Sequence, residues 1–178
     1  MLSVPYFSIP SDNIAMNDNT QNVNLAYLLN NTVMQFALYA SNQGVDIKVN
    51  IDKSAKDKFI RSSYNYLWRM VYNLLINAIK YCVGGGKVKT SLLAFDNILR
   101  WQVCDAGIGM SPEHLENIQQ YLSHEINEDL VETDGGFGRG LVVVKLVAIQ
   151  LNATVKVESE LGVGTTFTID FPVGNVLI

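Results

Sequence analysis

Several things are scarce in this 178-residue chain, and each scarcity removes a class of function. Basic residues are few: 13 Lys and Arg stand against 17 Asp and Glu, for a net charge of −4, and no basic patch gathers them. Nucleic acid is therefore not expected as a partner. Cysteine occurs only twice, as Cys82 in a predicted helix and Cys104 in a predicted strand, with no metal-ligand spacing between them. That excludes a disulfide scaffold and a cysteine-built zinc site, and it predicts two buried, reduced thiols in a cytosolic protein. Long apolar runs are absent too. The longest, Leu141 to Leu151, is interrupted by Lys145 and Gln150 and is too short to span a bilayer, so no direct membrane contact is expected. No signal peptide, internal repeat or low-complexity tract stands out.

What remains is a chain with 48% hydrophobic residues and a length suited to one domain with a real core. Residues 1–20 hold two prolines and a Ser/Asp/Asn cluster, and they read as a linker or disordered arm. The domain proper is expected over 21–173, with 174–178 as a C-terminal tail. Asn24 is placed to cap a helix from Leu25 to about Ser41, which Gly44 stops. Val45, Ile47, Val49 and Ile51 alternate as a half-buried strand, and Asp52 to Arg61 reads as a charged connection. Tyr64 to Cys82 is a second helix. Leu67, Trp68, Val71, Leu74, Leu75, Ala78, Ile79 and Cys82 recur on one face of it. Val88–Phe95 and Ile98–Cys104 form a hairpin about Asp96–Asn97. Ser111 and Pro112 open a short helix to about Leu122, and Leu141–Leu151 is a buried helix. Thr154–Glu158 and Thr165–Phe171 complete the sheet. The sum is an α+β chain: a two-layer α/β sandwich whose mixed β-sheet is covered on one face by three main helices.

The polar stripe of the second helix carries Tyr66, Arg69, Asn73, Asn77 and Lys80. Asn73 and Asn77 are one turn apart, and Asn is a mediocre helix former, so the pair invites a reason. Such a row of neutral oxygens ending in a cation can hold a hydrated Mg²⁺ and a polyphosphate, or it can simply face water. Three Gly-rich loops follow: Asp105–Gly109, Gly135–Leu141 and Gly162–Phe167. Asp105 ends a strand where two glycines would admit a flat base, or it is an ordinary turn Asp. Gly138 and Gly140 precede a helix N-terminus, whose free amides suit phosphate, or they are only a flexible joint.

In this order, the motifs resemble those of the ATP-binding catalytic domain of sensor histidine kinases. That domain belongs to the superfamily that also holds gyrase, a heat-shock chaperone and mismatch-repair ATPases. The likeness runs from about Asn22 to Pro172. It implies ATP and Mg²⁺ as cofactors, with Asn73, Asn77, Lys80, Tyr81, Asp105, Gly107, Gly109, Gly136, Gly138, Arg139, Gly140, Leu141 and Thr165 around the nucleotide. Asn77 would ligate the Mg²⁺ and Asp105 would read the adenine amine. Arg139 stands where the family usually has an apolar residue. Thr165, facing inward, would find its hydroxyl partner in the base and Asp105 network. Ser123 to Gly138, with five acidic residues, would be a mobile ATP lid.

Position 73 bears on chemistry. Hydrolysing relatives carry a Glu there as general base, and Asn cannot take a proton. No catalytic side chain is therefore assigned, and the γ-phosphate is kept for another nucleophile. The resemblance supplies one: a histidine on a separate dimerisation and phosphoacceptor domain, with a response regulator further on. His124 lies inside the lid and His114 on a short surface helix, so neither is placed as acceptor. A monomeric, cytoplasmic domain follows, whose parent sensor can be membrane-anchored. Two rival readings are a stand-alone serine kinase of the anti-sigma type and an ATP-binding module without chemistry.

Overall fold

The computed structural model describes residues 20–95, 98–123, 139–172 and 176–177. The first helix, α1 (Leu25–Asn42), starts where Asn24 accepts from the Tyr27 N–H at 2.8 Å, and it ends before Gly44, at φ +70°. The strand β1 (Gln21–Asn24) leads into it, and β2 (Val45–Ile51) follows. After β3 (Phe59–Ser62) comes α2 (Tyr64–Tyr81), the asparagine helix. A hairpin of β4 (Gly86–Phe95) and β5 (Ile98–Asp105) precedes α3 (Pro112–Ser123). Then α4 (Arg139–Gln150), β6 (Thr154–Glu160) and β7 (Gly164–Pro172) complete the main body, and β8 (Val176–Leu177) ends the described chain.

Five strands form the main sheet in the order β2-β4-β5-β7-β6. The β2–β4 pairing is parallel and the others are antiparallel, so the sheet is mixed as expected. Alternation divides its faces. Val88, Leu92, Leu99, Trp101, Val103, Phe167, Ile169 and Phe171 are buried beneath the helices. Trp101 is fully buried, and its Nε1 donates to Thr90 Oγ1 at 2.7 Å. The other face is polar: Arg100 grips Asp170 through two bonds of 2.6 and 2.7 Å, and Gln102 donates to Thr168 Oγ1. In the helical layer, α2 lies between α1 and α4, while α3 packs beside β6, where Gln119 Nε2 donates to the Val157 carbonyl.

Several expectations need correction. The charged connection over Asp52–Arg61 contains β3, and Ala55 and Ile60 within it are wholly buried. β1, β3 and β8 make a separate three-stranded sheet, so the 174–178 stretch is not simply a tail: Val176–Leu177 pairs with Phe59–Ile60. Trp68 is half-buried rather than central and stacks against Tyr72 at 5.1 Å, while Met70 takes the core position. Cys82 is buried, but Cys104 sits exposed on the open sheet face, because its strand neighbours Val103 and Asp105 take the inward positions. The 1–19 arm, the turn at Asp96–Asn97 and the lid beyond Ser123 lie outside the described residues. Ser123 itself is the last residue of α3.

Candidate nucleotide site

A cavity of about 320 Å³ opens between α2, the C-terminal end of β5, the N-terminal end of β7, α3 and the start of α4. It brings together nine residues that the sequence singles out: Asn73, Asn77, Lys80, Tyr81, Asp105, Gly109, Gly140, Leu141 and Thr165. Gly107 is not among the lining residues; its N–H donates to Asp105 Oδ1. Gly136, Gly138 and the side chain of Arg139 lie outside the described residues, as does His124.

One end of the cavity is built around a buried carboxylate. Asp105 is the last residue of β5 and pairs with Val88 on one side and Thr165 on the other. It is 8% exposed. Its Oδ1 accepts from the Gly107 N–H at 3.0 Å and the Thr165 N–H at 3.3 Å. Oδ2 has no partner among the described residues and is left to serve a ligand. Burial pushes the Asp105 carboxyl above the usual carboxylate range, and the two N–H donors oppose that rise. Gly107 is required here: a Cβ would stand 2.5 Å from the Tyr81 carbonyl oxygen and 2.7 Å from Asp105 Oδ1. Gly109 adopts φ +63° and packs against the Glu160 backbone, so it too has no room for a side chain.

The other end is built from α2 and α4. Asn73 Nδ2 donates to the Arg69 carbonyl at 2.8 Å, one turn back on its own helix. That fixes the amide so that Oδ1 faces the first turn of α4, where a Cβ on Gly140 would stand 3.1 Å from it. Asn77, half-buried, has no hydrogen-bond partner among the described residues and keeps its carboxamide for a ligand. Lys80 extends the row on the last turn of α2, with its Nζ 5.5 Å from the Tyr81 ring. Among the described residues no cluster of His, Cys, Asp or Glu could cage a metal. A neutral Asn oxygen without a carboxylate cage fits Mg²⁺, which keeps its waters and takes phosphate oxygens.

Thr165 departs from expectation. It is buried as predicted, but its hydroxyl lies 2.9 Å from Ser159 Oγ, a protein partner on the adjacent strand. The contribution of Thr165 to the carboxylate end is its backbone N–H. Sequence reasoning also missed much of the apolar lining. Leu74, Ala78, Val103 and Phe167 line the cavity from positions not assigned to the site. His114, Ile118 and Met110 line it from the α3 side. Ile108, 49% exposed between two glycines, was the one legible signal: an apolar residue held out at a loop.

With this geometry in place, comparison with known proteins is decisive about class. Residues 62–175 match the signature of the histidine kinase-, DNA gyrase B- and HSP90-like ATPase family, and the chain belongs to that family. It is 33% identical over 132 residues to the sensor histidine kinase RppB of Synechocystis, covering 74% of this chain and 29% of that protein. It is 35% identical over 107 residues to the histidine protein kinase DivJ of Caulobacter vibrioides, covering 60% of this chain and 18% of DivJ. The chain thus spans under a third of either relative. Its fold is shared with the catalytic domain of the histidine kinase ThkA, at a TM-score of 0.69 and 19% identity over 86% of this chain and 95% of that one. Full-length ShkA, solved with AMPPNP, also matches at 0.69, with 24% identity over 86% of this chain and 31% of ShkA.

Proposed function

We propose that this chain is the ATP-binding catalytic unit of a two-component sensor kinase, donating the γ-phosphate to a histidine on a separate dimerisation domain. The observation that carries the reading is the two-ended cavity. A buried acceptor, Asp105 Oδ2, lies at one end, and an Asn row facing a helix N-terminus lies at the other. A purine with an exocyclic amine matches the first, and phosphates match the second. Apolar Leu74, Ala78, Ile108 and Val103 suit the flat base between them.

The chain's own groups bind and orient. Asp105 Oδ2 accepts from the adenine amine, and the α4 amides near Gly140 and Leu141 face the phosphates with the helix dipole. Lys80 adds charge from α2, and Tyr81 flanks the adenosine. Asn77 Oδ1 would hold Mg²⁺, which when bound spreads phosphate charge. Asn73 accepts no proton, and one N–H of its amide is engaged by the Arg69 carbonyl, so Asn73 does not serve as a general base for water. The bound γ-phosphate is thereby spared for an external imidazole.

The test is phosphoryl transfer from radiolabelled ATP to a supplied acceptor domain. The expected result is acid-labile label on the acceptor's histidine and none on this chain alone. Label on serine would favour an anti-sigma-type kinase. Tight ATP binding without transfer to any acceptor tested would favour a module without chemistry, and acid-labile label on His114 or His124 would refute the division of donor from acceptor.

A further inference from the structure

Buried charge is confined to two side chains among the described residues: Asp105 at 8% exposure and Lys145 at 4%. Asp105 belongs to the nucleotide site. Lys145 is not among the residues that line it, yet an ammonium withdrawn from water needs a reason. It lies on α4, and its Nζ donates to the Tyr121 carbonyl at 2.7 Å, 4.4 Å from the centroid of the Tyr121 ring. No carboxylate pairs with it among the described residues. Tyr121 is in the last turn of α3, where the helix dipole favours a cation. The ring face adds a second attraction. Loss of hydration still pushes the Lys145 ammonium below its usual range. A long apolar side chain would pack α3 against α4 without that penalty, so stability alone does not account for a lysine.

The places this tie joins do account for it. α3 gives the cavity wall Ile118 and His114, and α4 gives the facing wall Gly140 and Leu141. Ile118 stands three residues before Tyr121, and Leu141 four before Lys145. At helical spacing each wall residue lies one turn from its end of the tie, on the same helix face. In sequence, fifteen residues separate Ser123, the last residue of α3, from Arg139, the first of α4. We infer that Lys145 is a positioning residue that sets the separation of the α3 and α4 walls and thereby the affinity of the site for nucleotide. The inference rests on the ATP reading above.

The experiment compares four forms of the chain by calorimetric titration with Mg-ATP, each below its measured melting range: wild type, Lys145→Met, Lys145→Arg and Ile60→Val. Lys145→Met keeps the length and loses the donor, and the expected result is about tenfold weaker binding at full stoichiometry. Arg can still reach the carbonyl, so Lys145→Arg should return affinity to within about threefold of wild type. Ile60→Val lies in the small sheet; it should lower the melting temperature and leave affinity unchanged. If Lys145→Met does not fold, Lys145→Gln, too short to reach, carries the same expectation. A lowered melting temperature with unaltered affinity in the Met or Gln form would overturn the positioning role and leave Lys145 structural. A wild-type chain with no affinity for Mg-ATP would overturn the nucleotide reading, and this inference with it.

Discussion

Base choice offers the sharpest perturbation, because the two oxygens of Asp105 do separable work. Oδ1 is occupied by the Gly107 and Thr165 amides, whereas Oδ2 has no partner among the described residues. Adenine presents an amine where guanine presents a carbonyl oxygen. ATP therefore completes Oδ2, and GTP sets acceptor against acceptor. Leaving a buried charged acceptor unpaired costs on the order of 2–3 kcal/mol, so ATP should be preferred by about 30-fold or more. Asp105→Ala is an imperfect test. It deletes Oδ1 as well, orphaning two N–H donors at about 1–3 kcal/mol each, and the loop it shapes would loosen. Asp105→Asn is cleaner. Its carbonyl keeps both amides satisfied, and its NH₂ replaces the acceptor with a donor aimed at the base. ATP should then weaken by about 30-fold while GTP binds no worse or improves, which collapses or inverts the preference. Competition binding of both nucleotides to both proteins, with melting curves to confirm folding, measures this. A folded Asp105→Asn chain that prefers ATP by the original ratio would remove Asp105 from base recognition.

Asn77→Ala should weaken Mg-ATP binding, and the loss should vanish when EDTA is present in both titrations; an equal loss with and without EDTA would sink the metal role of Asn77. The raised Asp105 carboxyl carries a signed pH dependence: its contribution to stability is full below the ordinary carboxylate value and declines as pH rises through the raised one, while ATP affinity rises over the same window. Asp105→Asn should flatten both curves, which melting and binding measured from about pH 4 to 7 would reveal. Gly109→Ala, at φ +63° against the Glu160 backbone, should cost about 1–3 kcal/mol in chemical denaturation and also weaken ATP, since the loop it displaces lines the cavity.

Local signals carried most of the main body. Asn24, Gly44 and a sustained period of three and four marked α1, and alternation marked β2 and the β4–β5 hairpin. The three short strands escaped because two to four residues hold no period. β3 exists through its pairing with Gln21–Asn24 and Val176–Leu177, distant along the chain. The polar half of the site was legible since Asn, Asp and Gly are unusual where they stand. Its apolar half was not: Ile118 and Phe167 look like any core residue until α3 and β7 are brought to one cavity. Thr165 shows the same limit. Its burial followed from alternation, but its partner, Ser159, is a matter of register between β6 and β7.

Asp105 is attached to β5, the middle strand of five, with β4 and β7 bonded along both edges. Amides in such a strand exchange with solvent only when the whole domain opens, whereas helix ends at the rim open by smaller fluctuations. Asp105 is thus anchored in a strand expected to exchange slowly, and Gly140 and Leu141 of α4 share its cavity. A bound nucleotide would touch β5 at Asp105 and Val103 and act on the rest of the strand through global stability. At a hundredfold excess over its dissociation constant it adds about 2.7 kcal/mol, which should slow deuterium uptake by Leu99 and Trp101, outside the cavity lining, about a hundredfold. Occupancy of the pocket is written into the core of the sheet, far from any residue that touches phosphate.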